Sequence, residues 1–452
     1  MRILREHFIK QNTTDRRQIL KQGSVVAATL MSPFFAKLGF AAVNQSSFTG
    51  FDGQSIVWGG IGYLPNDKAA LPNIMPIIKM KTPNGAYTLN QLLGRELFSE
   101  IGTTNSFCQS INGANVCWGR TDDDGETRFG MILGIAAELT IQNSRDEVAS
   151  FTFLRLVSYN FIFSVTPSGG VQIIASYPVG GRIDSSKFGM DKTPLSDYYL
   201  RMFALESTTG ESIPQQYKRL FATRPFNEIK TGLNYRVSRV KLQTKVIEYF
   251  NLDGVNTEHF TEWLGTAATV ALSDGLNVSV LPYKLSDATF AMAESFDESQ
   301  ELFFKIPIGD VEVEPTVLLV KVSLKDHPRD DSKFLQKLSV FLHLKIIANL
   351  GNQKDVIFKQ VIFAEQFQVI FKKKEWRQAD STTVFKLTED MLNMTTIAIK
   401  NPSKRKELIK GFRLDGKTSS RDKEIKPFIR IKLRPETAPN FEAECDAVLE
   451  YT

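Results

Sequence analysis

Cysteine and histidine are both scarce, three and four in 452 residues, and neither falls into a pattern that carries chemistry. There is no Cys-x-x-Cys pair, no haem-attachment Cys-x-x-Cys-His, no His-Glu-x-x-His and no Gly-x-Ser-x-Gly elbow. Those omissions argue against zinc hydrolysis, dithiol redox chemistry and a serine nucleophile on a strand–turn–helix. The usual ligands for haem, iron–sulfur or molybdenum are also largely missing, so no cofactor and no metal site are expected. Beyond the first forty or so residues no segment approaches the ~20 apolar residues of a membrane-spanning helix.

A charge excess is missing too, once its location is known. The formal net charge is +5. Residues 1–42 hold seven basic groups (Arg2, Arg5, Lys10, Arg16, Arg17, Lys21, Lys37) and two acids (Glu6, Asp15), which is the whole excess. The rest of the chain is neutral, and a general nucleic-acid role loses its electrostatic basis.

What is present begins with that same stretch. A basic segment is followed by the uncharged, mostly apolar run from Gly23 to Phe35, too short to cross a bilayer and interrupted by Pro33. Gly39-Phe40-Ala41 then offers small residues at alternate positions, as a signal peptidase requires. Arg16-Arg17-Gln18-Ile19-Leu20-Lys21 resembles the core of a twin-arginine export signal, with Arg16, Arg17, Leu20 and Lys21 at the matching positions and Asp15 where the pattern carries Ser or Thr. The resemblance covers residues 1–42 and implies a bacterial protein exported folded through the twin-arginine translocon, to the periplasm, the cell surface or the medium.

An oxidising destination gives two cysteines a meaning. Cys108 and Cys117 bracket Asn112-Gly113, the strongest short hairpin signal. A two-residue turn there pairs Ile111 with Ala114, Ser110 with Asn115, Gln109 with Val116 and Cys108 with Cys117. The last falls in a non-hydrogen-bonded pair, where a cross-strand disulfide is expected. Cys445 is left as a half-buried thiol.

The pattern along the chain predicts an α+β protein dominated by antiparallel hairpins, as a meander or sandwich, with a few amphipathic helices. Residues 43–254 read as a mixed domain and residues 255–452 as a β-rich one. In the first, Trp58-Gly59-Gly60-Ile61-Gly62 reads as a tight turn rather than a phosphate loop. A helix is expected from Leu89, and a second hairpin should join Val116–Trp118 to Phe129–Leu133 through the acidic turn Asp122–Gly125. Phe151–Val165 and Val171–Tyr177 form an aromatic-faced ribbon. Helices are expected over Leu195–Glu206, Pro214–Thr223 and Glu258–Ser273, the last capped by Thr257 and ended by Asp274-Gly275. Strands follow over Asn277–Leu281, Glu301–Ile306, Thr316–Leu324, Leu338–Ala348, Val356–Phe363, Phe367–Phe371, Thr396–Ile399 and Pro427–Leu433.

Few residues offer themselves as a site. Asp326-His327-Pro328-Arg329-Asp330-Asp331 is the one His–carboxylate cluster, so His327, Asp330 and Asp331 are the weak catalytic candidates, although a polar turn accounts for them as well. His343 alternates with Phe341 and Lys345 on a mixed strand face, without an obvious carboxylate. Residues 400–434 carry thirteen basic and four acidic side chains, making Lys404, Arg405, Lys406, Lys410 and Arg413 candidates for binding an anion. These features favour a non-catalytic envelope protein that binds or assembles with another protein, a polysaccharide or an anionic polymer. The alternatives are a periplasmic hydrolase whose carboxylates come from distant positions, as in glycosidases, and an exported redox enzyme.

Overall fold

The computed structural model describes residues 55–64, 74, 89–98, 107–111, 114–118, 128–145, 149–165, 171–188, 193–204, 210–223, 233–252, 256–283, 306, 309–328, 330–350, 353–371, 381–415 and 428–452. The expected export signal, the acidic turn at Asp122–Gly125 and nearly all of the expected strand at Glu301–Ile306 lie outside them.

Two mixed eight-stranded sheets organise an α+β fold. The first is built on a long antiparallel pair, β4 (Arg128–Arg145) with β5 (Ala149–Val165), extended on one side by β6 (Val171–Pro178), β7 (Gly181–Phe188) and the two-residue β8 (Gly210–Glu211). On the other side lies β1 (Ser55–Tyr63), parallel to β4. Beyond β1 comes the hairpin of β2 (Phe107–Ile111) and β3 (Ala114–Trp118). Its register is the one the Asn-Gly turn requires, with Cys108 opposite Cys117.

The second expected hairpin does not form. β1 is inserted between β3 and β4 and runs parallel to both, so the two segments are neighbours of β1 and not of each other. The reason is nonlocal: β1 brings Ile56, Trp58 and Ile61, all buried, into the core, and Trp58 meets Tyr217 edge-on at 5.9 Å. Nor do Trp58–Gly62 make a turn. The strand continues through them with a bulge, the register with β4 shifting between Trp58 and Ile61 while Gly60 takes φ 85°.

Both faces of this sheet are covered. One packs on α1 (Leu89–Phe98), α2 (Leu195–Met202) and α3 (Ile213–Thr223), through Leu89, Leu93, Tyr199, Met202, Tyr217 and Leu220. The other carries Tyr159, Phe161 and Phe163, and they are core: each is at most 1% exposed, clustered with Leu64, Ile132, Ile173, Leu281 and Ile306.

The chain leaves the first sheet at Glu211 and joins the second at β9 (Tyr235–Val237) and β10 (Lys241–Leu242), ahead of residue 254. That sheet centres on three long antiparallel strands, β12 (Val311–Asp326), β13 (Lys333–Leu350) and β14 (Gln353–Phe371). β14 is a single strand where the sequence suggested two. Parallel pairing of β9 and β10 with β12, and of β11 (Val280–Leu281) with β9, makes the sheet mixed. β16 (Phe428–Leu433) and β15 (Phe412–Asp415) complete the other side.

Helices cover its inner face: α4 (Thr244–Leu252), α5 (Thr257–Leu276), α6 (Ser381–Lys400), α7 (Pro402–Lys410) and α8 (Phe441–Leu449). α5 begins one residue earlier than expected, at the cap Asn256, whose side chain accepts from Glu258 N–H, and runs through Asp274-Gly275 to a left-handed Asn277 at φ 62°. Thr396–Ile399, read as a strand from its β-branched residues, is the last turn of α6. Tertiary packing overrides the propensity there: Thr396, Ala398 and Ile399 are buried, and Thr396 Oγ1 donates to the carbonyls of Leu392 and Asn393 at 3.1 Å.

β16 pairs with β14 only from Ile362 to Phe367, and the edge of β14 beside that stretch is closed by side chains. Glu444 of α8 accepts from Lys359 N–H and Gln360 Nε2, both at 2.8 Å, and Thr437 Oγ1 accepts from Val361 N–H at 3.3 Å.

The two sheets meet along α5 and β11. Ser279 Oγ accepts from Ser176 N–H at 3.0 Å, and the Arg155 guanidinium lies 5.8 Å from the Trp263 ring centre. Tyr159 hydrogen-bonds the Thr269 side chain and the Tyr283 backbone, and burial pushes its phenol up to about 12. No helix among the described residues is long and apolar enough to cross a membrane.

Candidate functional site

Side-chain alternation sends one set of residues on β12, β13, β14 and β16 into the helix-covered core and leaves the other set on the outer face. On β13 the core set is Leu338, Val340, Leu342, Leu344 and Ile346, all buried. The outer set includes Lys337, Phe341, His343 and Lys345. The register then decides what lies beside them. Phe367 is opposite Lys337, Phe363 opposite Phe341 and Lys359 opposite Lys345, while β16 sets Phe428 against Phe367, Arg430 against Glu365 and Lys432 against Phe363.

The outcome is two stacked aromatic pairs with cations over them. Phe341 and Phe363 stack at 5.4 Å and 15°, with Lys432 Nζ 4.8 Å from the Phe363 centre. Phe367 and Phe428 stack at 4.5 Å and 22°, with Lys337 Nζ 5.3 Å from the first ring and Arg413 Cζ 4.2 Å from the second. Each such cation–ring contact is worth about 0.5–1 kcal/mol at exposed positions, and all four rings here are half-buried.

Two pairs of like charges also face each other directly, one beyond the Phe341–Phe363 row and one in the row between the two phenylalanine stacks. Lys345 is opposite Lys359 across β13 and β14, and Arg413 is opposite Arg430 across β15 and β16. Like charges in that position destabilise a sheet, and Glu314 opposite Lys345 and Glu365 opposite Arg430 offset part of the cost. Lys337 is paired with Glu365, whereas none of Lys345, Lys359, Arg430 and Lys432 is ion-paired with a carboxylate among the described residues. Burial, then the Lys359 and Lys345 ammoniums, hold the His343 imidazole below its ordinary range, as a locally positive field would.

The candidates read from sequence are dispersed. His327, Asp330 and Asp331 form the tight connection from β12 to β13. Asp330 accepts from Ser332 N–H at 3.0 Å and pairs with Lys333 at 2.9 Å, and the Ser332 hydroxyl followed by Lys333 pulls its carboxyl down to about 2. His327 N–H donates to the Lys333 carbonyl at 3.2 Å. This arrangement builds a turn, with Asp330 held far from the range of a general acid at neutral pH.

Of the five anion-binding candidates only Arg413 is on the outer face. Lys404, Arg405, Lys406 and Lys410 belong to α7, on the core side. Lys404 pairs with Glu407 at 2.8 Å, and Arg405 is buried among backbone carbonyls. The residues that sequence reasoning missed, Lys359, Arg430 and Lys432 among them, carried one legible signal: within each strand they stand an even number of positions from a phenylalanine, and so on its face.

Two half-buried carboxyl groups among the described residues are shifted upward, and they lie in different parts of the fold, Asp310 just ahead of β12 and Asp390 in α6. Burial raises Asp310, and it raises Asp390 to about 6. The carboxylate next to Asp390 in sequence is Glu389, 4.0 Å from Arg182, and consecutive helical residues point apart. Among the described residues no three His, Cys, Asp or Glu side chains gather as metal ligands would.

No protein-family model matches the chain, and no curated protein does. Among solved structures, the hypothetical protein CT253 from Chlamydia trachomatis is similar at 13% identity over 37% of this chain and 95% of its own, with a TM-score of 0.21. A lipopolysaccharide binding protein is similar at 8% identity over 76% of this chain and 94% of its own, with a TM-score of 0.10. Scores this low establish neither a shared fold nor a shared function.

Proposed function

We propose that this is a non-catalytic protein, exported to the bacterial envelope, that binds an anionic envelope polymer or partner on the outer face of its second sheet. One observation carries the reading: Lys345, Lys359, Arg430 and Lys432 share one sheet face, and none of the four is ion-paired with a carboxylate among the described residues. Glu314 opposite Lys345 and Glu365 opposite Arg430 offset part of that charge, and the positive excess that is left favours an anionic ligand.

Retention on immobilised polygalacturonate tests the site. Replacing Arg430 and Lys432 with glutamine should weaken retention by on the order of tenfold or more, with the remaining binding less sensitive to salt. Replacing Lys404, Lys406 and Lys410 on α7 should leave retention unchanged. The reverse ranking would move the site to α7 and end this proposal.

Export is supported by the resemblance at Arg16-Arg17 and by the register that sets Cys108 opposite Cys117. Protein recovered from the periplasm should be two hydrogens lighter than its reduced form, with Cys108 and Cys117 in one crosslinked peptide. An Arg16→Lys, Arg17→Lys variant should stay in the cytoplasm with both thiols free. Export of that variant, or free thiols in the periplasmic protein, would count against the reading.

A further inference from the structure

We infer that the chain pairs with a second copy of itself through α7, α8 and the end of α6, on the helix-covered side of the second sheet. Nothing in this depends on the polymer reading, which concerns the opposite side. α7 buries Arg405 and Leu408 and leaves Lys406, Ile409 and Lys410 exposed. Ile397 and Lys400 are exposed in the last turn of α6, against which Arg405 holds α7 through the Ala398 and Ile399 carbonyls. Ile397 is 41% and Ile409 36% exposed, two of the five large hydrophobics left open to solvent among the described residues, and covering them is favourable.

The cations beside them have no carboxylate of their own. Glu407 is the one acid of α7, and Lys404 holds both of its oxygens, at 3.0 and 2.8 Å. Arg405 is engaged by the two carbonyls and by Asp446. Lys400, Lys406 and Lys410 are left without an ion pair among the described residues.

α8 is the reverse. It contains no lysine or arginine, and Glu442, Asp446 and Glu450 recur every fourth residue along the helix and its C-cap, so they share one exposed side. Glu444 is held elsewhere, by Lys359 N–H and Gln360 on the edge of β14. Asp446 is bonded to Arg405, and Glu442 and Glu450 have no cation among the described residues.

The positive and the negative side adjoin where Arg405 Nη1 and Asp446 Oδ1 meet at 2.7 Å. A surface positive on one side of such a junction and negative on the other is complementary to its own copy turned by half a revolution. A two-fold axis there lays α7 of each copy on α8 of the other, so every contact is made twice. Lys406 and Lys410 then face the row of Glu442, Asp446 and Glu450, and Ile409, on the same side as the two lysines, leaves water with them. An anionic lipid surface fits less well, because its head groups would meet the acidic row of α8 as well as the lysines.

Sedimentation of the full chain over a concentration series, in low and in high salt, tests the pairing. A dimer should form as concentration rises and should weaken as salt screens the facing charges. The Lys406→Glu, Lys410→Glu variant should dimerise more weakly by on the order of 10²-fold, and so should the Glu442→Lys, Glu450→Lys variant, because each sets like charges against each other. Mixed in equal amounts, the two variants should dimerise with each other as the native chain does with itself. All four positions are exposed, so both variants should melt with the native chain. Polymer retention, read below the dimerisation range, remains a property of the outer face of the sheet. A native chain that stays monomeric at every concentration would overturn the inference, as would a dimer indifferent to both charge reversals. Two monomeric variants whose mixture stays monomeric would overturn the pairing of α7 with α8. A monomeric native chain that binds phosphatidylglycerol vesicles, with binding lost in the Lys406→Glu, Lys410→Glu variant, would reassign the lysines to a lipid surface.

Discussion

Replacing Arg405 with alanine should lower the stability of the C-terminal half by about 2–4 kcal/mol, the largest loss expected from removing one polar side chain. Its guanidinium is 7% exposed and makes three contacts: Nε donates to the Ala398 carbonyl at 3.2 Å, Nη2 to the Ile399 carbonyl at 2.8 Å, and Nη1 to Asp446 at 2.7 Å. The two carbonyls lie in the last turn of α6, where no helical N–H is left to reach them. Alanine would leave both without that donor and would remove the packed stem.

Lysine at this position keeps the charge but not the planar fork, so it should recover only part of the loss. Asp446→Asn should cost well under the arginine change, because that carboxylate is 70% exposed and solvent already screens it. Calorimetric melting of the three variants gives the ranking. Equal melting of Arg405→Ala and the native chain would show that the buried fork contributes nothing.

Gly275→Val should be worse still, leaving little folded protein. A Cβ at Gly275 would lie 2.2 Å from Thr396 Oγ1, 2.5 Å from its Cβ and 3.0 Å from its backbone carbonyl carbon, so rotating the threonine does not make room. Glycine within a helix costs up to about 1 kcal/mol relative to alanine, and it stands here, in the last turn of α5, because α5 and α6 approach closely at this point. Gly275→Ala regains that propensity and meets the clash, for a net loss of about 1–2 kcal/mol. Thr396→Gly on the alanine background should restore part of it, a coupling that distant sites do not show. Urea titration followed by circular dichroism reads both. A neutral or stabilising Gly275→Ala would mean that the helices do not cross this closely.

The same glycine shows why parts of the fold were illegible. Asp274-Gly275 reads as a helix stop because glycine after a periodic run commonly is one. Its actual partner, Thr396, is more than a hundred positions away, and so is the reason Thr396–Ile399 forms a helix. The Cys108–Cys117 register was legible because a two-residue turn sets it locally. The second expected hairpin failed because β1, more than fifty residues upstream, inserted between its two segments.

Local chemistry in the sequence determined the turn-set register around Asn112-Gly113, the alternating strands of both sheets, the neutrality of residues 43–452 and the absence of a contiguous catalytic motif. The periodicity of β13 already placed Phe341, His343 and Lys345 on one face. Only the tertiary structure decided that Lys359 stands opposite Lys345, that Arg430 stands opposite Arg413, and that Phe341 stacks on Phe363 and Phe367 on Phe428. Alternation says which residues share a face along one strand. Which strands lie side by side, and in what register, follows from burying apolar surface brought together from distant parts of the chain.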